Sequence, residues 1–366
     1  MTTEPPIKHP LMKPLLAMIL SLLIPSAYCQ TDQQKPDAQA TDQFKALADG
    51  YMAPLLTGPL ALRGLVVGVA HDGRSEIWGY GKAGQNGATP NGESLFKIAS
   101  VTKPLTALLL AQLVAEGKVS YDDVAITFKG KPVTYRQLVT HTSGLPLQAT
   151  NLHNDSAGEF RRFLSEYSLT REPGSRFEYS VLGYSVLGLC LAEKCGFSTF
   201  EASLTRKILA PLGMSSTVFE LPKADEWRFA GDTLPKARKN GPNPGNPSGG
   251  LISSANDLLR FISANLQPQS QPNLAKAMAL THQIPSPEIQ SFPGSIAALG
   301  WEVMVIGPAK YYWHSGVGPG RVFITFDLSR HAGVVILTQT AMQPFDTRME
   351  MAGFSLLGAM ANMKLK

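Results

Sequence analysis

The chain has 366 residues, of which 44% are hydrophobic and 17% charged, and its net charge is +5 at neutral pH. This balance is typical of a globular protein with one large domain or two lobes, and it excludes a disordered chain. The lysines and arginines are scattered and no nucleic-acid recognition motif occurs in the sequence, so we predict no nucleic-acid partner.

The N-terminal residues 1–29 have the composition of a secretory signal peptide. Lys8 and Lys13 precede the apolar run LLAMILSLLIPSAYC, which is too short to span a bilayer comfortably. We favour cleavage after Cys29. The alternative is lipid attachment to Cys29, which is disfavoured because Tyr28 is large where a lipoprotein signal has a small residue. The sequence therefore predicts export, to the periplasm, with association with the cell envelope left open.

The N-terminal half of the mature chain is predicted to alternate between helices and strands. A polar linker over 30–41 is followed by a helix at FKALADGYMAPLL and by two strands that turn at Asp72-Gly73. A long apolar helix is predicted from Val101 to Glu116, ended by Gly117.

The C-terminal half begins with a mostly helical pattern over 133–212 and a Pro/Gly-rich loop over 235–250. Ser254 and Asp257 form a capping box, which predicts the start of another helix. Three strand-like runs follow, YYWHSG, RVFITFDL and AGVVILTQT, and an amphipathic helix over 347–362 closes the chain.

Since strands occur at both ends of the chain with helices between them, we predict an α/β (α+β) fold. Its antiparallel sheet is flanked by the N- and C-terminal helices, with an inserted all-helical lobe. The domain predicted over 42–366 then has a sheet lobe at about 42–132 and 250–366 and a helical lobe at about 133–249, with a cleft between them. Cys190 and Cys195 are predicted to be unpaired packing residues.

The segment SLFKIASVTKPLT contains the pattern S-x-x-K twice, as Ser94/Lys97 and Ser100/Lys103. Pro104 distinguishes the two because proline is tolerated only in the first turn of a helix. A helix that begins near Ser100 satisfies this requirement and leaves Ser94 and Lys97 in extended chain, where residues three apart point to opposite faces. Ser100 and Lys103 then share a helical face, and we predict Ser100 as the nucleophile.

Several runs resemble the serine β-lactamase and penicillin-binding protein superfamily, in its class C and D,D-peptidase-like branch. The runs are ESLFKIASVTKPLTALLLAQLVAEGKVSYDD, VTYRQLVTHTSGLP, EPGSRFEYSVLGYSVLG, LAPLGMSST, SGGLISSANDLLRF and HSG, in the family's order from about residue 60 to 340. The resemblance implies the fold described above and assigns roles to individual positions. Ser100 resembles the acylated nucleophile, Lys103 its hydrogen-bonded partner, Tyr179 the second-motif tyrosine, and His314-Ser315-Gly316 the third motif. The oxyanion hole is then formed by the N–H groups of Ser100 and Val317.

The sequence departs from the family pattern at two places. Val181 replaces the asparagine that the family usually has, and His314 replaces the lysine typical of class C β-lactamases. Since an unperturbed histidine has a pKa of about 6.5, His314 is expected to bind carboxylates better as pH falls toward 6. Arg321 is a candidate second anchor for such a carboxylate. His141, in the run THTSGL, is predicted to be structural.

These residues predict an exported serine hydrolase that needs no metal or other cofactor and forms a Ser100 acyl-enzyme with β-lactams, D-amino-acid peptides or small esters. The seven histidines form no metal-binding motif. Either Lys103 or Tyr179 can serve as the base, since both have unperturbed pKa values of about 10. One alternative is a carboxylesterase with little lactamase activity, and another is a non-catalytic binder of cell-wall peptide. The oligomeric state stays open.

Overall fold

The computed structural model of the protein describes residues 36–148, 157–235, 243–343, 345–360 and 362–363. The predicted signal peptide therefore lies outside the described residues, as does the first half of the predicted linker, residues 30–35. The last part of the linker prediction is wrong, because the first helix already begins at Pro36. Proline is compatible with a helix start, which is where it stands here.

Ten α-helices are described. They are α1 (Pro36–Met52), α2 (Thr102–Ala115), α3 (Tyr135–Val139), α4 (Ala157–Glu166), α5 (Val181–Cys195), α6 (Phe200–Leu204), α7 (Asn246–Gly249), α8 (Ala255–Leu266), α9 (Ala275–Thr281) and α10 (Arg348–Met360). Within the described part of the chain, no single helix has both the length and the apolar composition to cross a membrane, although α5 and the stretch Phe200–Leu209 satisfy the criteria as a bent pair.

The described strands number eleven. They are β1 (Gly64–His71), β2 (Arg74–Gly81), β3 (Leu95–Lys97), β4 (Val124–Phe128), β5 (Lys131–Thr134), β6 (Ile252–Ser254), β7 (Ser295–Ala297), β8 (Glu302–Ile306), β9 (Ala309–Val317), β10 (Arg321–Asp327) and β11 (Ala332–Thr338). Seven of them form one sheet in the order β2-β1-β11-β10-β9-β8-β7, and every neighbouring pair is antiparallel. The predicted antiparallel sheet is confirmed.

Each face of this sheet is covered by helices, because strand side chains alternate between the two faces. On one face, Phe323 and its neighbours pack against the terminal helices α1 and α10, through residues such as Phe44 and Leu356. On the other face, Ile324 belongs to a larger core that includes α2, α8 and α9. Helix α2 lies inside this second core, since Leu105 through Ala111 are all fully buried or nearly so.

Turn and capping residues in the sequence correctly predicted where several helices and strands begin or end. Asp72 and Gly73 both have positive φ, 47° and 82°, as a two-residue hairpin turn requires. Helix α2 ends just before Gly117, which has φ 69°. Ser254 caps α8 by accepting a hydrogen bond from the Asp257 N–H at 3.2 Å. These turns and caps formed where the residue types predicted them.

The loop predicted over 235–250 is only partly right. Residues 236–242 lie outside the described residues, but Asn246–Gly249 forms the short helix α7. Pro247 is at the first turn of α7, where its missing N–H costs no hydrogen bond. Cys190 and Cys195 are free, with Cys190 buried, which confirms that they are packing residues.

Candidate active site

Ser100 lies in a 3₁₀ turn, Ala99–Val101, that connects β3 to α2. The turn is anchored by the Ile98 N–H, which donates to the Leu251 carbonyl at 3.0 Å. Ala99 has φ 45°, a left-handed conformation that is uncommon for a residue other than glycine and is found most often at functional sites. Because Ser100 occupies the first turn, its N–H has no helical acceptor and is available to a ligand.

Lys103 is fully buried, and its ammonium group is directed at the nucleophile. Its Nζ lies 3.0 Å from Ser100 Oγ and donates to the Ser248 carbonyl at 2.7 Å. Removal from water disfavours the charged form and lowers the pKa of Lys103 to about 7. Near neutral pH a large fraction of Lys103 is therefore an uncharged amine with a lone pair beside the serine hydroxyl.

Helix α7 supports Lys103 through its backbone carbonyl groups. The Thr106 hydroxyl donates to the Pro247 carbonyl at 2.7 Å, next to the Ser248 carbonyl that accepts from Lys103. Gly188 on α5 makes room for this contact, since a Cβ there would lie 2.0 Å from Pro247 Cγ. Ser248 was not predicted as a site residue, although it stands in the matched run SGGLISS.

Tyr179 is the residue before the N-cap of α5, and its hydroxyl is close enough to Ser100 for their interaction to lower its pKa. Burial raises the pKa of Tyr179 well above its ordinary value, and the interaction with Ser100 offsets this only in part. The Lys103 Nζ lies 4.8 Å from the centre of the Tyr179 ring. Near neutral pH the Tyr179 hydroxyl is therefore protonated, whereas a large fraction of Lys103 is neutral.

His141 holds the Tyr179 loop in place. Its Nδ1 accepts a hydrogen bond from the Ser180 N–H at 2.9 Å, and its ring centre lies 4.4 Å from that of Tyr179. Burial, with a smaller contribution from Lys103, lowers the pKa of His141 far below its ordinary value, which leaves the imidazole neutral. This geometry gives His141 the structural role that the sequence predicted.

Strand β9 runs alongside the Ser100 turn through its last residues. A Cβ on Gly316 would lie 2.1 Å from the Ile98 carbonyl oxygen, so only glycine permits this approach. Strand β8 pairs with β9 only as far as Trp313, which leaves the β9 edge over 314–317 without a partner from β8. The backbone at Val317 is therefore brought to the Ser100 turn with an open strand edge beside it.

His314 is buried, and its charge state differs from the expectation. Burial and, to a smaller extent, the Lys103 charge lower the pKa of His314 to about 3, although its Nδ1 contacts the Ser315 carbonyl at 3.1 Å. The imidazole is therefore neutral at pH 6 as well as at pH 7. This neutral state argues against the predicted gain in carboxylate binding as pH falls toward 6, because burial disfavours the charged imidazole that the prediction requires.

Ser315 and Arg321 face away from the cleft. The Ser315 hydroxyl donates to Glu350 Oε1 at 2.6 Å, on the α10 side of the sheet. Arg321 is buried there too, with its Nε 3.4 Å from Glu350 and its guanidinium also donating to the Asp346 carbonyl. Arg321 as a second carboxylate anchor is therefore wrong, and Ser315 contributes only its backbone to the cleft.

An aromatic wall, which we define as Phe177, Phe292 and Trp313, stands next to Tyr179. Phe292 lies 5.7 Å from Phe177, 5.6 Å from Tyr179 and 5.9 Å from Trp313, measured between ring centres. All three members of the wall are only half-buried. No motif in the sequence pointed to them, since they come from separate segments joined only by the fold.

A buried carboxyl group lies behind this wall. Glu302, on β8, accepts a hydrogen bond from the Ser291 hydroxyl, which holds the segment that carries Phe292. Burial raises the pKa of Glu302 to about 7, and its charge contributes to the raised pKa of Tyr179. Glu302 was likewise not predicted, because a lone glutamate in a strand has no sequence signature.

A serine beside a desolvated lysine, with a tyrosine hydroxyl and an unpaired strand edge nearby, is the arrangement of a serine hydrolase site. The sequence profile of the β-lactamase family matches residues 44–356. The chain therefore belongs to the β-lactamase family.

Named relatives agree with this assignment. A β-lactamase of Pseudomonas fluorescens is 27% identical over 277 residues, which are 72% of this chain and 75% of the relative. The D-alanyl-D-alanine-carboxypeptidase/endopeptidase AmpH of Escherichia coli (strain K12) is 28% identical over 294 residues, 70% of this chain and 74% of the relative.

Solved structures confirm the fold. A class C β-lactamase superposes with a TM-score of 0.77 at 20% identity, covering 88% of this chain and 98% of that structure. A class C β-lactamase in complex with cefoxitin gives a TM-score of 0.78, also at 20% identity, covering 87% of this chain and 99% of the other.

Proposed function

We propose that this serine hydrolase forms a covalent acyl-enzyme on Ser100 and that its substrates are β-lactams, D-amino-acid peptides or small esters. The observation that carries the proposal is the contact of Lys103 Nζ with both Ser100 Oγ and the Ser248 carbonyl, in a site where burial brings the lysine pKa to about 7. A serine hydroxyl needs such an adjacent base to attack a carbonyl carbon.

The positions of Ser100, Lys103 and Tyr179 support the following acylation step. Neutral Lys103 takes the Ser100 proton as Oγ bonds to the carbonyl carbon, and the resulting oxyanion is stabilised by the N–H groups of Ser100 and Val317. The C–N or C–O bond then breaks, and the leaving atom takes a proton from Tyr179, which Lys103 replaces. Water hydrolyses the Ser100 ester in the second half of the cycle, which releases the acid and restores the serine hydroxyl.

The names of the relatives support amide substrates, since one is a β-lactamase and another a D-alanyl-D-alanine carboxypeptidase. The open β9 edge over 314–317 supports the same class, because an unpaired strand edge can pair with a substrate amide. Val181, at the position of the family's asparagine, favours the carboxylesterase alternative. A non-catalytic binder is disfavoured because Ser100, Lys103 and Tyr179 are in mutual contact.

Export belongs to this proposal, and it rests on residues 1–29 alone. A substrate outside the cytoplasm, such as a peptidoglycan peptide, requires it. Expression of the full chain, followed by cell fractionation and mass measurement of the mature N-terminus, tests export. The mass also shows whether the chain is cleaved after Cys29 or carries a lipid there.

Intact-protein mass spectrometry tests the reaction itself. The protein is exposed separately to a penicillin, an activated ester and a D-Ala-D-Ala peptide, and the added mass, its site and its lifetime are recorded. A single acyl group on Ser100 is expected with at least one of them. A long-lived penicillin adduct with rapid ester turnover would select the esterase, and no adduct with any of the three would contradict the proposal.

A further inference from the structure

Within the part of the chain that the structure describes, none of the residues predicted to pair with a substrate carboxylate offers a free cation to the cleft. His314 is buried and neutral, and Arg321 is buried on the far side of the sheet in an ion pair with Glu350. Lys103 is fully buried and already in contact with Ser100 and Ser248. Each of these three residues is therefore neutral or committed to other groups.

The charge that does lie near Tyr179 has the opposite sign. Glu302 is almost completely buried and acts on both Tyr179 and Tyr184 through its charge. When it ionises, a negative charge stands behind the wall that borders the cleft. A substrate carboxylate placed beside Tyr179 would lose its hydration and meet a like charge, and both effects oppose binding.

The aromatic wall supplies a surface of a different kind. Phe177 and Phe292 belong to none of the described hydrophobic cores, although both rings are half-buried. Phe292 nevertheless has a defined position, because Ser291 is hydrogen-bonded to Glu302 and the Ser295 N–H donates to the Phe292 carbonyl at 2.8 Å. Aromatic rings that are fixed in position and only half-buried leave apolar surface on which an apolar substrate group can pack.

We propose that this cleft selects neutral substrates whose apolar group packs on Phe177 and Phe292 of the aromatic wall, and that it discriminates against substrates with a carboxylate near the reacting carbonyl. The proposal rests on the Ser100 acyl-enzyme and specifies its substrate class. The specificity-determining residues are then Phe292, through its ring, and His314, through its lack of charge.

A matched pair of activated esters tests the preference. 4-Nitrophenyl hexanoate and the 4-nitrophenyl monoester of adipic acid have the same scissile bond and differ by a terminal methyl group and a carboxylate. After correction for their uncatalysed rates, kcat/KM for the hexanoate should exceed that for the adipate by about 10-fold or more, the scale that a pocket contact commonly provides. Equal values, or a higher value for the adipate, would overturn the inference.

Substitutions at Phe292 and at His314 test whether these two residues cause the substrate preference. Phe292→Ala should lower the ratio of kcat/KM for the hexanoate over 4-nitrophenyl acetate by about 5-fold or more, since most of the lost contact is apolar. Trp227→Ala is the matched control, because it removes an aromatic ring that is 75% exposed elsewhere on the surface. An unchanged ratio in Phe292→Ala, in a protein that melts as the wild type does, would remove Phe292 from the inference.

His314→Lys should raise kcat/KM for the adipate relative to the hexanoate by about 5-fold or more. The ordinary pKa of lysine is about 4 units above that of histidine, so lysine keeps more of its charge under the same burial. Ile306→Lys is its control, with the same added charge at the exposed end of β8. An equal change in both variants would make the effect a general one of net charge and contradict the role of His314.

The covalent step separates this inference from the proposed function. If neither ester leaves an acyl group on Ser100 in a single turnover, the proposed function fails. If both esters acylate Ser100 and the adipate reacts as well as the hexanoate, the acyl-enzyme stands and only the substrate preference is wrong.

Discussion

Ser94/Lys97 and Ser100/Lys103 have the same spacing within one short segment, yet their side chains have different surroundings. Ser94 precedes β3, and its Oγ accepts from the Asn91 N–H at 3.0 Å. Lys97 is at the end of that strand. In the second pair, Lys103 Nζ is 3.0 Å from Ser100 Oγ. The comparison shows that a spacing of three brings side chains together on a helix and separates them along a strand.

Burial is the second difference between the pairs. Lys97 is only partly buried, whereas Lys103 is fully enclosed. Enclosure brings the pKa of Lys103 to about 7, and that change converts an ordinary ammonium group into a base. An S-x-x-K pair therefore requires two conditions for catalysis, helical geometry and burial of the lysine in the core around α2. Of the two pairs compared, Ser100/Lys103 meets both conditions and Ser94/Lys97 does not.

The largest effect is expected from exchanging the two serines for alanine. Ser100→Ala should abolish the acyl adduct and lower turnover by at least about 10⁴-fold, because the attacking oxygen is removed. Ser94→Ala should keep the adduct and nearly full turnover. Mass spectrometry after exposure to an activated ester measures the adduct. An adduct on Ser94, or full turnover by Ser100→Ala, would reverse the comparison.

The two lysines should differ by a smaller factor. Lys103→Ala is expected to slow acylation by about 10²-fold or more, the usual scale for loss of a general base, while Lys97→Ala changes it little. In the wild type, the acylation rate should rise with pH around pH 7, since the neutral amine forms as Lys103 passes its pKa of about 7. Single-turnover rates against pH measure this. A profile that is flat between pH 6 and pH 8 would exclude Lys103 as the titrating base.

Two tyrosines near Lys103 extend the comparison. Tyr184 also presents its ring to Lys103, at 5.5 Å, but its hydroxyl donates to the Val139 carbonyl at 3.0 Å. Tyr179→Phe should lower turnover by about 10²-fold, because the proton donor to the leaving group is lost. Tyr184→Phe removes a hydroxyl of the same kind without touching Ser100, so it should stay within a few-fold of wild type. Near-wild-type rates for Tyr179→Phe would make Tyr179 a packing residue.

Much of the fold could be predicted because its signals are local. The hairpin at Asp72-Gly73, the cap at Ser254 and the three C-terminal strands each depend on neighbouring residues. The strands β4, β5, β6, β7 and β8 were not predicted. They are only three to five residues long. Strand β6 pairs with the distant β3, whereas β4 pairs with β5 and β7 with β8, each a neighbour in the chain.

The candidate site likewise has one part that could be predicted from local sequence and another that depends on the fold. The Ser100/Lys103 pair followed from Pro104 and helical spacing, which are local. The Ser248 carbonyl and the Glu302 carboxyl approach the site from remote segments, so no pattern around Ser100 could indicate them. Electrostatics was the least predictable part. His314 has an ordinary pKa in the sequence and one of about 3 in the structure, because burial is a property of the fold.

The smallest expected effect concerns stability, where substitutions of the two lysines should differ in size and in pH dependence. Lys103 has a pKa of about 7 in the folded chain and 10.5 as its ordinary value. Between these values the unfolded chain binds more protons, so the free energy of unfolding rises with pH across this window. Below pH 7 the full cost of burying the ammonium group is present.

Lys103→Met removes that buried charge while keeping an unbranched side chain of similar length. It should therefore raise the melting temperature at pH 6 by about 2 °C or more, at the loss of activity, because replacing a buried charge by an apolar side chain is often stabilising. The gain should shrink toward pH 9, where Lys103 in the folded protein is already neutral. Lys97→Met, on the partly exposed strand, should shift the melting temperature by less than about 1 °C at either pH. Thermal melts of the three proteins at pH 6 and pH 9 measure the difference. A lower melting temperature for Lys103→Met at pH 6 would mean that the hydrogen bonds to Ser100 and Ser248 outweigh the desolvation of the ammonium group, and Lys103 would then stay charged at neutral pH.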